Sequence, residues 1–376
     1  MKRIYITSLH MGHGGVEMAI SLMANALVKR GYHVTILCTY NLGEPVYELD
    51  ERVKIKYLTN VRPNKEEIKE ALHKKKIFTL LKEGLYAVRV LYLKKRTMIQ
   101  AIRKIKSGCI ISTRNEHSVI LSKYGNENVK KIAQLHHDHR FDKKLINDFK
   151  NNYSRVDYFV LLTDLLCKEV KRMMTGNQHT KCVVIPNFLD LTICKDKIEA
   201  KPQVIAVGRL HDVKRFHLLV EMWKDKELRE MAHLLIVGDG DEKERLENLI
   251  KENHLENYVT LSGALEHDEV MEKMQESLVY AMTSETEAFP FVLIEAMSNG
   301  LPIVSYDVRV GPAAIIEDGK TGYLVPDNDR QDFIKKLKKL LSENDTRKQM
   351  SEEAIHQCVQ YKEDAVMKKW MDIIED

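Results

Sequence analysis

The strongest constraint on this chain's fold is an alternation that runs through its first half and then begins again. Arg3–Ser8 reads as a short apolar strand, followed by the glycine-rich loop Gly12-His13-Gly14-Gly15. A helix follows, with apolar residues at Met18, Leu22, Ala26 and Leu27, and Gly31 closes it. Further strands are predicted at 33–38, 110–112, 132–135, 158–162 and 183–185. Pro186-Asn187-Phe188 ends this half, and the charged segment 195–202 reads as a linker. The pattern restarts with strands at 203–207, 234–237, 259–261, 279–282 and 303–306. Strand, loop, helix, strand in this order gives a parallel sheet covered on both faces. Two such sheets in tandem suit 376 residues, which exceed one comfortable core. The expected class is α/β, with two doubly wound domains facing across a cleft. The boundaries read as 1–188 and 189–361, followed by an amphipathic tail helix within 362–376 that carries Val366, Trp370 and Ile373 on one face. Ligands of such sheets sit beyond the carboxyl ends of the strands.

The segment that carries chemistry lies late in the chain. Glu287 and Glu295 flank an apolar stretch that contains Pro290. Proline suits the first turn of a helix, so a helix is predicted to start there and to stop at Gly300. Glu287 then falls in the preceding loop and Glu295 in the second turn. The amides of Phe289 and Phe291 are among the unpaired donors of that helix start, where an anion is welcome. One carboxylate before such an anion site and one inside it can grip hydroxyls on either side of a phosphate, which describes a nucleotide-sugar pocket. The plainer reading is an acidic residue favoured by a helix dipole.

Two further segments weigh on that choice. Val207-Gly208-Arg209-Leu210 follows a strand, with Lys214 shortly after. Glycine lets the backbone approach a diphosphate and the two cations neutralise it. On its own, a surface loop with two solvated cations is the plainer reading. Val237-Gly238-Asp239-Gly240 is a second strand-to-helix turn, but it lacks the third glycine of a dinucleotide fingerprint. His136-His137-Asp138-His139 ends the 132–135 strand. Neighbouring side chains there point different ways, so a shared metal ion is not expected. One histidine, His136 or His137, is expected to face the cleft.

Composition narrows the setting. Six scattered cysteines without a C-x-x-C pair point to a reducing compartment and against structural zinc. The N-terminal apolar stretch is too short for a signal peptide, and no run approaches the ~20 apolar residues of a membrane span. The expected location is cytoplasmic, peripheral at the inner face of the cell membrane. Between Lys74 and Lys106 there are eleven Lys/Arg against one acid, Glu83, with Ile77, Phe78, Leu80, Leu81, Leu85, Val88, Leu91, Tyr92 and Leu93 threaded among them. Such a segment reads as a surface for an anionic membrane. Alternatively it is a solvated helical face whose lysine stems cover the core. No nucleic-acid recognition motif accompanies the charge, so nucleic acid is not an expected partner.

Taken together, these segments resemble retaining glycosyltransferases of the GT-B architecture, family 4, such as those that build bacterial cell-surface polysaccharides. The matching elements are Gly14-Gly15-Val16-Glu17, Pro186-Asn187, Val207-Gly208-Arg209-Leu210 with Lys214, and Val237-Gly238-Asp239-Gly240. They continue through Leu261-Ser262-Gly263, Glu287-Ala288-Phe289-Pro290-Phe291 to Glu295, Gly311-Pro312, and the run from Glu317 to Val325. Ala288 stands where that family usually carries glycine. The resemblance implies two Rossmann-like domains, a UDP-sugar donor bound mainly by the second, and a tail helix that crosses back to the first. It implies no cofactor and no metal. Arg209 and Lys214 would hold the diphosphate beside Gly208, and Glu295 the ribose hydroxyls. Glu287 with the Phe289, Pro290 and Phe291 segment would hold the transferred sugar. Gly14 and Gly15 would close over the phosphates, Ala264 and Leu265 would flank the base, and His136 would contact the donor sugar. The acceptor would be a lipid-linked glycan or a cell-surface polymer.

Losing the nucleotide diphosphate builds negative charge on phosphate and positive charge on the sugar, so preorganised cations lower the barrier. No second carboxylate is placed as a nucleophile, unlike the paired acids of glycosidases. A front-face displacement is therefore expected, with the leaving phosphate taking the acceptor's proton. Three alternatives share parts of the pattern. They are a nucleotide-sugar epimerase, a dinucleotide-dependent dehydrogenase, and a non-enzymatic nucleotide-sugar-binding protein.

Overall fold

The structure is a computed structural model that describes residues 2–137, 142–191, 193 and 201–376. Asp138 and His139 of the histidine run, and most of the predicted 195–202 linker, lie outside the described residues. Two compact units are present. One comprises Met1–Ile185 with Met367–Asp376, the other Pro186–Val366.

The first unit holds a seven-stranded, all-parallel sheet of β1 (Arg3–Ser8), β2 (His33–Tyr40), β3 (Lys54–Thr59), β4 (Gly108–Ser112), β5 (Val129–Leu135), β6 (Tyr158–Leu161) and β7 (Lys181–Val184). Their spatial order is β3-β2-β1-β4-β5-β6-β7. The second unit holds six parallel strands: β8 (Gln203–Val207), β9 (His233–Val237), β10 (Val259–Gly263), β11 (Val279–Met282), β12 (Ile303–Asp307) and β13 (Gly322–Pro326). Their order is β10-β9-β8-β11-β12-β13. The order reverses between β1 and β4 in one sheet and between β8 and β11 in the other. In doubly wound sheets a crevice opens at such a point.

Central strands read as nearly continuous apolar runs because helices cover both faces. Val204, Ile205, Ala206, Leu234, Ile236, Val279 and Val304 are fully or almost fully buried. Edge strands differ. β3 alternates lysine with apolar residues and is half-exposed, and β13 lies at the opposite sheet's edge and ends in Pro326. Neither is among the sequence-based strands: β13, with Tyr323 and Val325 buried, is a short apolar run between Gly322 and Pro326, while β3 lacks the buried run that marks a central strand. β7 begins two residues earlier than expected, for the same reason.

The tail helix, Glu363–Glu375, hands the chain back to the first unit. There the Tyr32 hydroxyl donates to Glu375 and the Tyr158 hydroxyl to Asp376, while Lys181 pairs with Asp376 at 3.5 Å. Val366, Met367 and Trp370 on its apolar face are buried.

Candidate active site

In the second unit, the candidate residues come from both sides of the β8/β11 switch point. The two strands pair only through Val204 and Ile205, then part. Tyr280 bridges the opening: its hydroxyl donates to the Val207 carbonyl at 3.2 Å and accepts from the Val207 amide at 3.3 Å. Beyond Val207 the loop through Gly208, Arg209 and Leu210 lies against the turn after β9. The Gly208 amide donates to Val237 at 3.0 Å, Leu210 donates to Asp239 at 2.9 Å, and Glu242 donates back to Leu210 at 3.0 Å. Gly238 (φ +147°) permits this contact, since a Cβ there would stand 2.0 Å from the Gly208 carbonyl oxygen. The Gly238-Asp239-Gly240 turn thus serves as a cradle for the Arg209 loop.

Arg209 is exposed, with no ion-pair partner among the described residues. Lys214 turns inward. Its stem lies 3.5 Å from where a Gly208 Cβ would be, and its ammonium reaches Glu287 at 2.5 Å. Both side chains of this pair are mostly shielded from water. The Glu287 backbone is pinned separately. Its carbonyl accepts from Gly311, where a Cβ would meet Glu287 Cβ and Pro290 Cδ at 2.8 Å, so only glycine fits that approach.

The predicted helix is present as Phe291–Ser298, with Asn299 as C-cap and Gly300 left-handed just beyond. Pro290 is the N-cap rather than a residue of the first turn, because its backbone stays extended (ψ 108°). The helix therefore starts one residue later than expected. The amides of Phe289 and Phe291 donate to no backbone carbonyl among the described residues, as expected of a helix start. The Phe289 ring is buried edge-on against Tyr361, 5.7 Å between centroids, which fixes the loop behind those amides. Glu295 occupies the second turn, and burial pushes its carboxyl above the usual carboxylate range, partly offset by His267. Ala264 and Leu265 follow β10 directly.

One residue of this region carries no sequence signal of its own. Arg215, beside Lys214, adopts a left-handed backbone (φ +50°). Its guanidinium donates to the carbonyls of Thr283 and Ser284 at 2.8 and 3.0 Å and pairs with Asp327 at 2.6 Å. The Thr283 hydroxyl returns bonds to the carbonyls of Lys214 and Arg215. This two-way clasp holds the Lys214 loop against the end of β11. Only its place next to Lys214 in the sequence could have marked it. Arg215→Lys keeps the charge but cannot make the fork. The expected result is a fall of about 10²-fold in kcat/KM, since small misplacements of reacting groups have effects of that size. Steady-state kinetics with far-UV circular dichroism would check it, and unchanged kinetics would exclude a positioning role.

In the first unit, the glycine-rich loop joins β1 to the Gly15–Lys29 helix, whose N-cap is Gly14. The Gly14 amide donates to the Tyr47 hydroxyl at 3.3 Å. Beneath it, buried Glu17 reaches Arg114 at 3.3 Å and His10 at 3.7 Å. Arg114 follows β4, so this carboxylate ties together the two strand ends that flank the switch point. His136 comes immediately after β5 and is buried, whereas His137 is exposed. Burial holds the His136 imidazole down at about 3, helped by His137 and Arg114. His136 is therefore neutral near pH 7 and available as a hydrogen-bonding group rather than a cation.

Buried His117 is held equally low, again chiefly by burial, and lies 3.0 Å from the Thr7 hydroxyl. Both histidines have folded-state pKa values below the unfolded value of about 6.5. Between about pH 6.5 and 3 the unfolded chain therefore binds more protons, and stability falls as pH falls. Replacing His136 by Gln should flatten the decline of Tm across that window, which thermal melts from pH 7 to 4 would test. An unchanged slope would refute it.

Among the described residues one trio could gather around a cation: Asp212, His217 and Glu242. The Arg245 guanidinium already pairs with Glu242 at 2.6 Å and Asp212 at 3.9 Å.

Two doubly wound parallel units, each with its candidate residues at the switch point, make up the GT-B architecture, and the chain is an enzyme of the glycosyltransferase class. Residues 194–357 match the sequence family described as glycosyl transferases group 1. Over 96% of both chains it is 28% identical to the amylovoran biosynthesis glycosyltransferase AmsD of Erwinia amylovora. Its fold matches pneumococcal O-GlcNAc transferase GtfA, solved with UDP and GlcNAc, with a TM-score of 0.76 at 16% identity over 100% of this chain and 98% of that one. It also matches a mutant of S. aureus TarM, solved with fondaparinux, alpha-GlcNAc-glycerol and UDP, with a TM-score of 0.77 at 15% identity over the whole of both chains. At such identities the structural likeness is one of fold.

Proposed function

We propose that this protein moves a sugar from a UDP-sugar to a hydroxyl of a lipid-linked or polymeric cell-surface glycan, with retention at the anomeric carbon and without a divalent metal. The observation that carries the reading is the convergence of Lys214, Glu287 and Gly208 with the uncapped Phe291–Ser298 helix start. The diphosphate lies against Arg209, Lys214 and those amides, which together oppose the charge that builds as the leaving group departs. The Lys214 ammonium moves from Glu287 to phosphate when donor binds, which frees the Glu287 carboxylate for the sugar's hydroxyls. Glu295 takes the ribose hydroxyls, and Ala264 and Leu265 border the base. The relative named for amylovoran biosynthesis supports a polysaccharide setting.

The decisive experiment is a screen of nucleotide sugars that reads nucleotide release with and without glycan acceptors. Release that depends on acceptor supports transfer. Release without any acceptor points to an epimerase, and no release with any donor refutes the proposal.

The acceptor side has its own support. Ile77–Lys104 forms one long helix whose later part packs Met98, Ala101 and Ile102 into the core. Its earlier part leaves Ile77, Phe78, Leu81, Leu85, Val88, Leu91 and Tyr92 exposed, Phe78 at 91%. Spacings of three and four residues put these on one face, among lysines and arginines. No helix among the described residues is long and apolar enough to cross a membrane. This face lies on an anionic leaflet, each cation near the surface contributing about 1 kcal/mol. Sedimentation with vesicles of about 30% anionic lipid, enough for a strong surface potential, should show binding that is lost in high salt and in Phe78→Ser/Leu85→Ser. Equal binding to neutral vesicles would contradict this.

A further inference from the structure

A cavity of about 380 Å³ lies in the first unit between the Ile77–Lys104 helix and the Asn115–Tyr124 helix. Its apolar wall is Leu91 from the first helix with Val119 and Ile120 from the second. The position follows from how the long helix is used. Its early turns expose apolar residues, and its last turns bury Met98, Ala101 and Ile102 in the core. Leu91 stands where one arrangement gives way to the other: it is 62% exposed, yet it also lines the cavity. The exposed apolar face is thus continuous with the cavity wall.

The polar members of the wall already have partners. Lys94 pairs with Glu116. Buried Asp148 accepts from Asn115 at 2.7 Å and from Asn152 at 2.8 Å. Buried His117 has the Thr7 hydroxyl 3.0 Å from one ring nitrogen and the Thr39 hydroxyl 3.5 Å from the other. A polar ligand would therefore find these groups engaged, whereas an apolar one gains from every methylene it takes out of water. At the ~30 Å³ that a water molecule takes up in the liquid, the space admits on the order of ten groups of that size. That is enough for one short run of hydrocarbon and too little for two chains side by side. The exposed cations Lys95 and Lys144 border the cavity, which favours an anionic headgroup beside it. Lys94, Glu116 and Lys144 are shared with the space beyond the ends of β4 and β5, where ligands of such sheets bind.

We propose that this cavity takes the hydrocarbon chain of a lipid-borne acceptor, so that the sugar is transferred to a glycan still attached to its lipid carrier. The inference deepens the proposed transfer reaction and rests on it. A chain that leaves the leaflet along Phe78, Leu85 and Leu91 enters between the two helices, and its headgroup then lies toward the ends of β4 and β5. A free polymer has no chain to place there, and a two-chain membrane lipid does not fit.

The test is calorimetry on the full chain with geranyl phosphate, geraniol, inorganic phosphate and dihexanoylphosphatidylglycerol, with UDP titrated in parallel. Geranyl phosphate and geraniol should bind, and inorganic phosphate should not. Val119→Trp fills the cavity. It should weaken both geranyl ligands by about tenfold or more, the effect of withholding about two methylenes. It should leave UDP affinity and vesicle sedimentation unchanged, which separates the cavity from the exposed face of the long helix. A diazirine-bearing geranyl phosphate, irradiated with the wild type, should label peptides that contain Leu91 or Val119. That measurement decides the matter even if Val119→Trp does not fold. Unchanged geranyl phosphate affinity in Val119→Trp, or labelling confined to other peptides, overturns the inference. Binding of dihexanoylphosphatidylglycerol that Val119→Trp weakens equally also overturns it, since the occupant would then be bulk lipid. Each of these failures leaves the donor reading standing if UDP binds. If UDP fails to bind the wild type, the donor reading falls, and the geranyl titrations still decide the cavity.

Discussion

Replacing Arg209 by alanine is expected to lower turnover by about 10²–10³-fold, the range found when a preorganised charge-stabilising donor is removed from an active site. The side chain is exposed and free of ion pairs among the described residues, so the fold loses almost nothing and Tm should move little. A loss of activity at constant Tm places the effect in the transition state, where charge collects on the departing diphosphate. The Gly238 cradle makes this more specific. The Arg209 loop is held by backbone bonds that the substitution does not touch, so a loss cannot be blamed on loop collapse. Activity within a few-fold of wild type would remove Arg209 from the mechanism.

Glu287→Gln is expected to separate binding from chemistry. In the free protein Lys214 is committed to Glu287 at 2.5 Å, so the donor diphosphate must draw the ammonium away. Neutralising the carboxylate lifts that competition. UDP affinity should hold or rise, while turnover with the full UDP-sugar falls about 10²-fold because the sugar loses its charged hydroxyl acceptor. Parallel UDP titrations and initial-rate measurements would show the two moving in opposite directions. A joint loss of UDP affinity and turnover would mean that Glu287 serves only to position Lys214. Unchanged turnover would mean that it does not touch the sugar.

Most of the architecture is legible in the amino-acid order, and the reason is physical. Central parallel strands are buried on both faces, so their sequences are apolar runs bounded by turn residues. Pro290 and Gly300 bracket a helix through opposite backbone restrictions, and the expected start misses by one residue because an extended proline can cap a helix as well as begin one. Edge strand β3 is illegible because a half-exposed strand carries no such run. Within the site, the cations and carboxylates stand out as residue types at strand ends. Their partners do not. Arg215 clasps Thr283 and Ser284, and Glu17 reaches Arg114 across 97 positions of sequence.

Two restarting alternations of strand, glycine turn and helix determined, by local backbone preference and burial alone, that this chain makes two doubly wound sheets with chemistry at their strand ends. Only the tertiary structure decided that Lys214 rests on Glu287 and that His136 is the buried histidine of its pair. Those contacts depend on which strands become neighbours. Sequence periodicity reports how each segment is buried, but side chains far apart in the chain meet only when the sheet order brings their strand ends together.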